Sequence, residues 1–190
     1  MKLTDQKPPR WPSHVEYIPS QVYDRSVPHE LLCLIRGNQL CPPTRVSSVT
    51  IRPVTERSHP AFGQHGLFAA KRIPPRSHII DYAGEVHADD RPSSDYDLSL
   101  HRTRDGISIG VDASRKGNEA RFVNDYRGIR DRPNAVFQEG RPVPDGELRM
   151  SIWSSSECIR KGDEILVSYG KGWWQARLQS SAETTHERGA

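Results

Sequence analysis

A mainly β fold with short helices is what this sequence predicts, and three observations predict it. Fifteen prolines and fourteen glycines are spread through 190 residues, which implies short elements and frequent turns. The apolar runs are strand-length and bounded by turn residues. No helical crossovers of about ten residues separate them, so small curled sheets are favoured over a doubly wound parallel sheet.

Composition bounds the rest. The length suits one domain with modest extensions. Apolar residues make up 34% and mean hydropathy is -0.73, so the core is not lavish. A formal net charge of +3 is too slight to argue for nucleic acid by itself. Cys33, Cys41 and Cys158 form no CxxC or CxC pair, which disfavours a cysteine-based metal site and fits free thiols in a reducing compartment. No apolar run approaches the ~18–20 residues of a membrane span, and the first residues carry no secretory apolar region. These features predict a soluble intracellular protein, in nucleus or cytoplasm.

Taken in order, residues 1–19 are proline-rich and polar and should be extended, with Trp11, Val15, Tyr17 and Ile18 available to pin the arm to the domain. Ser26-Val27-Pro28 reads as a helix start, with Glu30 near the positive end of the dipole. Leu31, Leu32, Leu34 and Ile35 form its apolar face and Gly37 its stop. Residues 39–45 link onward, since Cys41-Pro42-Pro43 cannot continue a helix. Strands are predicted at Val49–Val54, Gly66–Ala70 and His78–Tyr82, the last two separated by Pro74-Pro75 and the third ended by Ala83-Gly84. Asp89–Asp97 is polar and turn-rich. Leu98–Leu100 and Ile107–Val111 form a hairpin around Asp105-Gly106. Gly117–Val123 has room for two helical turns. Ala135–Gln138, Leu148–Trp153 and Glu164–Tyr169 complete the strands, Gly172–Leu178 suits a short helix, and Ser180–Ala190 reads as a disordered tail. The division is thus an arm and helix over 1–45, a domain over 46–170, and a C-terminal lid segment and tail over 171–190.

Four stretches carry candidate chemistry. In Gly63–Ala69, glycine lets backbone amides approach a ligand, although alone the stretch reads as a turn entering a strand. Tyr82 before Ala83-Gly84 offers a ring and a hydroxyl, or is a core tyrosine with its hydroxyl at the surface. Arg121-Phe122-Val123-Asn124-Asp125-Tyr126 packs a cation, an aromatic, an amide and a carboxylate together. Asn124 can both donate and accept, and Arg121 has a forked donor for a carboxylate. The same residues also suit a capped helix end. Finally, Gly162–Gly170 ends a strand in Tyr169 between Ser168 and Gly170. Trp173 and Trp174 follow, suited to a lid, a box around a cation, or core packing.

In combination these stretches resemble the SET domain of protein lysine methyltransferases, over roughly Val46 to Trp174. That family carries a glycine loop, then Tyr-x-Gly, then Gly-Asn-x-x-Arg-Phe-x-Asn-His-Ser with a later Pro-Asn, then Gly-Glu-Glu-Leu ending in Tyr-Gly. Here the series runs from Gly66 through Gly117-Asn118, Arg121-Phe122, Asn124, Pro133-Asn134 and Gly162-Asp163-Glu164 to Tyr169-Gly170. The resemblance implies small curled β-sheets around a knot-like C-terminal segment, with Asn124 beside Tyr169. It implies a cofactor, S-adenosyl-L-methionine, held by His65, Gly66, Leu67, Phe68, Tyr82, Arg121, Phe122, Asn124, Asp125, Tyr169 and Trp174. It implies substrate contacts from Tyr82, Ile109, Val111, Tyr126, Val167 and Trp173, with the Ile107–Val111 strand pairing the substrate backbone. Tyr169 would be the catalytic tyrosine at the methyl-transfer channel. No metal site is implied.

The chain departs from the pattern in places. Asp125 and Tyr126 stand where the family has His-Ser, and Ser168 replaces a common aspartate. The Asn124–Asn134 loop is long, Gly63 falls one place early, and the cysteine-rich zinc segments are missing. Closure of the site would then fall to Trp173, Trp174 and the residues to Leu178. The implied activity is lysine N-methylation, with a histone tail as partner and the nucleosome as a further one. The alternatives are a non-histone protein substrate and a SET-like peptide-binding module without turnover. The acidic Asp89, Asp90, Asp95 and Asp97 either favour a basic peptide or form a solvated loop.

Overall fold

The computed structural model describes residues 7–39, 48–171, 173 and 174. The predicted 172–178 helix, apart from the two tryptophans, lies outside the described residues. So do the 180–190 tail, most of the 39–45 linker and the first residues of the arm.

The α-helix α1 (His29–Arg36) forms where the sequence places it. Pro28 holds φ at -56° at its start, Glu30 lies in the first turn and Arg36 in the last, each matched to the helix dipole. Ile35 is fully buried, worth roughly 1.5–3 kcal/mol of apolar burial. Leu34, expected on the apolar face, is 49% exposed instead. Gly37 ends the helix with φ +64°, and a Cβ there would lie 2.2 Å from the Asp145 carbonyl oxygen, so only glycine fits.

The described residues also hold thirteen strands: β1 (Glu16–Tyr17), β2 (Val22–Tyr23), β3 (Val49–Pro53), β4 (His65–Ala69), β5 (His78–Asp81), β6 (Glu85–His87), β7 (Asp97–Arg102), β8 (Ser108–Asp112), β9 (Lys116–Gly117), β10 (Asn124–Asp125), β11 (Ala135–Gly140), β12 (Arg149–Ser154) and β13 (Leu166–Val167). They form a four-stranded sheet in the order β2-β6-β8-β7, a three-stranded sheet β11-β12-β5, and the pairs β3-β4, β1-β9 and β10-β13. The fold is therefore mainly β, in small sheets. A core of Ile51, Leu67, Ile79, Val86, Leu100, Ile109, Ile152 and Ile165 joins them. No described helix is long and apolar enough to cross a membrane.

Strands β1, β2 and β6 are not legible in the sequence, because two or three residues carry no period. The arm is nonetheless pinned as expected. β1 pairs with β9, β2 pairs with β6, and Val15 and Ile18 are buried. The expected two helical turns at Gly117–Val123 are a single 3₁₀ turn, Glu119–Phe122, whose Asn118 side chain accepts from the Ala120 amide.

The C-terminal strand is shorter than expected because it changes partners. On one side the Ile165 amide donates to the Leu67 carbonyl and the Ala69 amide to that of Asp163. On the other, β13 runs parallel to β10, pairing Asn124 with Leu166 and Asp125 with Val167. The Asn134 side chain clasps the same segment, accepting from the Leu166 amide at 2.8 Å and donating to the Glu164 carbonyl at 2.8 Å. The segment is thereby held between β4 and the 124–134 loop, the knot-like arrangement that carries Asn124 to Tyr169.

A polar cluster fixes the three-stranded sheet. Asp81 Oδ1 accepts from His78 Nε2 at 2.7 Å and from Ser151 Oγ at 2.7 Å, and Oδ2 accepts from Arg149 at 2.9 Å. Burial alone would raise the Asp81 carboxyl, but the His78 and Ser151 hydrogen bonds and the His78 and Arg149 charges outweigh it and hold it well below the usual carboxylate range. A depressed folded-state value contributes stability that is complete above the unfolded value of about 3.9 and is lost as pH falls through the folded one. Chemical denaturation between neutrality and strong acid should therefore show a stability decline beginning near pH 4, flattened in Asp81→Asn.

Candidate functional site

Strand β5 ends at Asp81 and delivers Tyr82. The 3₁₀ turn delivers Arg121 and Phe122, β10 delivers Asn124 and Asp125, and the residues after β13 deliver Tyr169, Trp173 and Trp174. All of these line one cavity of about 490 Å³, together with His65 at the start of β4. That size suits a small-molecule site.

One part of the cavity is aromatic. Tyr82, Tyr96, Phe137, Tyr169 and Trp173 line it. The Tyr82 and Phe137 rings meet edge-on at 6.1 Å, and Tyr169 and Trp173 at 4.8 Å. The Tyr82 hydroxyl donates to the Tyr96 carbonyl at 2.8 Å, and the Tyr169 hydroxyl to the Val123 carbonyl at 2.7 Å. Both donors are thus spent on backbone, and both oxygens keep lone pairs for an incoming N–H. Burial pushes the Tyr169 phenol well above its ordinary range, with the Asp125 charge adding to it. Burial does the same to Tyr82. Both are neutral hydroxyls at any physiological pH.

Elsewhere the lining is polar. Asn124 Nδ2 donates to Glu164 Oε1 at 2.8 Å and weakly to the His65 carbonyl at 3.4 Å. Glu164 Oε2 lies 3.0 Å from His59 Nε2. The Ala61 amide donates to His59 Nδ1 at 3.0 Å, so the ring hydrogen sits on Nε2 and points at the carboxylate. Arg121 donates Nε to the Ala113 carbonyl at 2.9 Å and stacks its guanidinium 4.1 Å over the Tyr96 ring. Its terminal nitrogens have no described partner, leaving them for an anion.

Several expected site residues are not in this cavity. Ile109 and Val111 are fully buried on β8, which pairs with β7 on one edge and, over Gly110–Asp112, with β6 on the other. Among the edge strands, β7 and β11 carry the cavity residues Asp97, Leu98 and Phe137. Val167 is sealed in the β13–β10 pair. Gly66, Leu67 and Phe68 also miss the cavity, because β4 is paired with β3 on one side and bonded to residues 163–165 on the other. Gln64 and His65, just before, reach it instead. Tyr126 stays outside, packed against Arg127.

Other lining residues had no signal in the sequence. The arm contributes Pro12 and His14, with the Trp11 ring set edge-on to Phe122 at 5.5 Å. The 59–61 loop, Tyr96, Ile129 and Phe137 come from segments without a motif. Two of the four residues of the acidic run have basic partners within the chain. Asp89 pairs with Arg91 and Asp97 with His87, while Asp95 and Asp97 border the cavity.

A SET domain family model matches residues 64–170 of the chain. Among solved structures, the chain is similar to a humanized mutant of the Chaetomium thermophilum Polycomb Repressive Complex 2 bound to an inhibitor. The identity there is 26% and the TM-score 0.52, covering 66% of this chain and 15% of that one. It is similar in fold to another Chaetomium thermophilum Polycomb Repressive Complex 2 structure, at 21% identity and TM-score 0.53, covering 71% of this chain and 18% of that one. It is similar in fold to KRYPTONITE in complex with DNA, an H3 peptide and SAH, at 20% identity and TM-score 0.50, covering 67% of this chain and 24% of that one. The chain thus spans less than a quarter of each of these. No curated protein matches it.

Proposed function

The chain belongs to the SET-domain family, and from that premise we propose that it is an S-adenosyl-L-methionine-dependent protein lysine N-methyltransferase acting on a histone tail in the nucleus. One observation carries the reading: Tyr169 and Asn124, distant in sequence, border the same cavity between an aromatic and a polar lining.

The residues suit the cofactor. Phe122 and Trp174 offer rings, Asn124 keeps Oδ1 as an acceptor for an adenine amino group while its Nδ2 is held by Glu164 and His65, and the terminal nitrogens of Arg121 match a carboxylate. When bound, that molecule supplies a methyl group on a positively charged sulfur. The chain's own work is to hold and orient the amine. A lysine amine has a free pKa of about 10.4 and reacts only after losing its proton. Burial among Tyr82, Phe137, Tyr169 and Trp173 disfavours the ammonium, so the proton leaves to solvent before reaction. Tyr169 and Tyr82 then accept N–H from the amine and point its lone pair, and positioning supplies much of the rate. An extended substrate segment is best accommodated at the open edge of β7, where Asp97 and Leu98 meet the cavity.

The H3 peptide in the KRYPTONITE structure makes H3 the first histone to test. The decisive experiment supplies a methyl-labelled donor with nucleosomes, free histones and whole-cell extract, followed by mass spectrometry of the labelled lysine. Label on a histone lysine is expected. Label confined to other proteins moves the substrate class, and donor binding without label leaves a peptide-binding module, the reading that Asp125-Tyr126 in place of His-Ser favours. A chain that neither binds donor nor transfers methyl ends the proposal.

A further inference from the structure

We propose that the Asp125 side chain is a positioning residue, whose carboxylate latches the C-terminal tryptophans onto the cavity and holds the backbone of Tyr169 in register. Its effect on turnover rests on the methyltransferase reading, whereas the latch itself is a property of the ligand-free chain.

Asp125 is 7% exposed, and donors from three segments converge on it. Oδ2 accepts from the Tyr169 amide at 2.7 Å and from the Trp174 indole Nε1 at 3.3 Å. The Arg127 amide donates to Oδ1 at 2.9 Å, and the Arg127 guanidinium reaches both oxygens, at 2.9 and 3.2 Å. The guanidinium also lies 5.5 Å over the Trp174 ring and 5.1 Å over Tyr126. Trp173 packs edge-on between Tyr169 and Trp174, at 4.8 and 5.1 Å. The 124–134 loop, the catalytic strand end and the closing aromatics therefore meet at one anion.

The residue type follows from the chemistry. A carboxylate has about four acceptor sites, whereas an imidazole accepts one N–H when neutral and none when protonated. A histidine here could not satisfy Tyr169, Trp174 and Arg127 together. The aspartate and the tryptophan pair are thus two halves of one closing device.

The test compares Asp125→Asn with Trp174→Phe, which removes the indole N–H together with part of the ring. Binding of S-adenosylhomocysteine is measured by calorimetry, and exposure of tryptophan by acrylamide quenching without ligand. Each variant should weaken binding about tenfold, the effect of losing one charge-assisted hydrogen bond. The two effects should add only in part in the double variant, because the bond from Trp174 to Asp125 is lost in both. Quenching should rise in Asp125→Asn, and the donor KM should rise more than kcat falls. Unchanged quenching and affinity in Asp125→Asn, or full additivity, would overturn the latch. If Asp125→Asn does not fold, Trp174→Phe decides alone, with wild-type affinity counting against the proposal. A wild-type chain that ignores S-adenosylhomocysteine would remove the methyltransferase reading and leave quenching to decide the latch.

Discussion

Tyr169→Phe is expected to lower turnover by at least about 100-fold while leaving the fold and donor binding close to normal. The ring does the packing. It meets Trp173 at 4.8 Å and borders the cavity, and phenylalanine preserves both. Only the hydroxyl is lost, and with it the bond to the Val123 carbonyl at 2.7 Å. A single neutral hydrogen bond is worth about 0.5–1.5 kcal/mol of stability, which a folded domain tolerates. The loss to catalysis is larger in kind, because the oriented acceptor for the amine disappears and every encounter must then find the attacking geometry by chance. Burial keeps the phenol neutral, so it is not the base that deprotonates lysine. The pH–rate profile of the residual activity should accordingly keep the wild-type shape, only lowered. Single-turnover rates with calorimetry of S-adenosylhomocysteine separate the two effects. Near-normal turnover in the variant would remove Tyr169 from the reaction.

How much of this site the sequence shows depends on where its information lies. Tyr169, Asn124, Arg121 and Phe122 stand in motifs whose order is local to the chain, and the structure brings these four to one cavity. An alternating run such as Ile107–Val111 signals a strand, but not that β8 lies inside its sheet between β6 and β7. Burial on both faces and pairing on both edges are properties of neighbours distant in sequence. The same limit hid the arm's Pro12 and His14, which reach the cavity only through two-residue pairings too short to leave a period. The sequence suggests Gly66 as a place for a ligand to approach. Its actual constraint is internal, since a Cβ there would lie 2.4 Å from Glu164 Oε1. The glycine makes room for a buried carboxylate from the C-terminal segment, and the ligand-facing residues shift one place earlier.

That carboxylate makes Glu164→Gln a severe substitution despite its matching shape. Both of its partners donate. Asn124 gives Nδ2–H to Oε1, and His59 gives Nε2–H to Oε2. A glutamine amide must turn its own nitrogen toward one of them. Neither neighbour can yield freely. Turning over the Asn124 amide forfeits its contact with the His65 carbonyl, and moving the His59 hydrogen to Nδ1 sets it against the Ala61 amide. The Gly66 backbone closes the remaining side. Leaving a buried donor unpaired costs about 1–3 kcal/mol, so chemical denaturation should report a loss of about 2 kcal/mol. Asn124 lines the cavity, so S-adenosylhomocysteine affinity should fall by more than about tenfold. Adding His59→Ala should cost less than the sum of the single changes, because it removes one of the opposed donors. If the two substitutions added fully, with ligand binding intact, Glu164 would be a solvated carboxylate with no part in holding Asn124, and the polar lining would owe its shape to β10 alone.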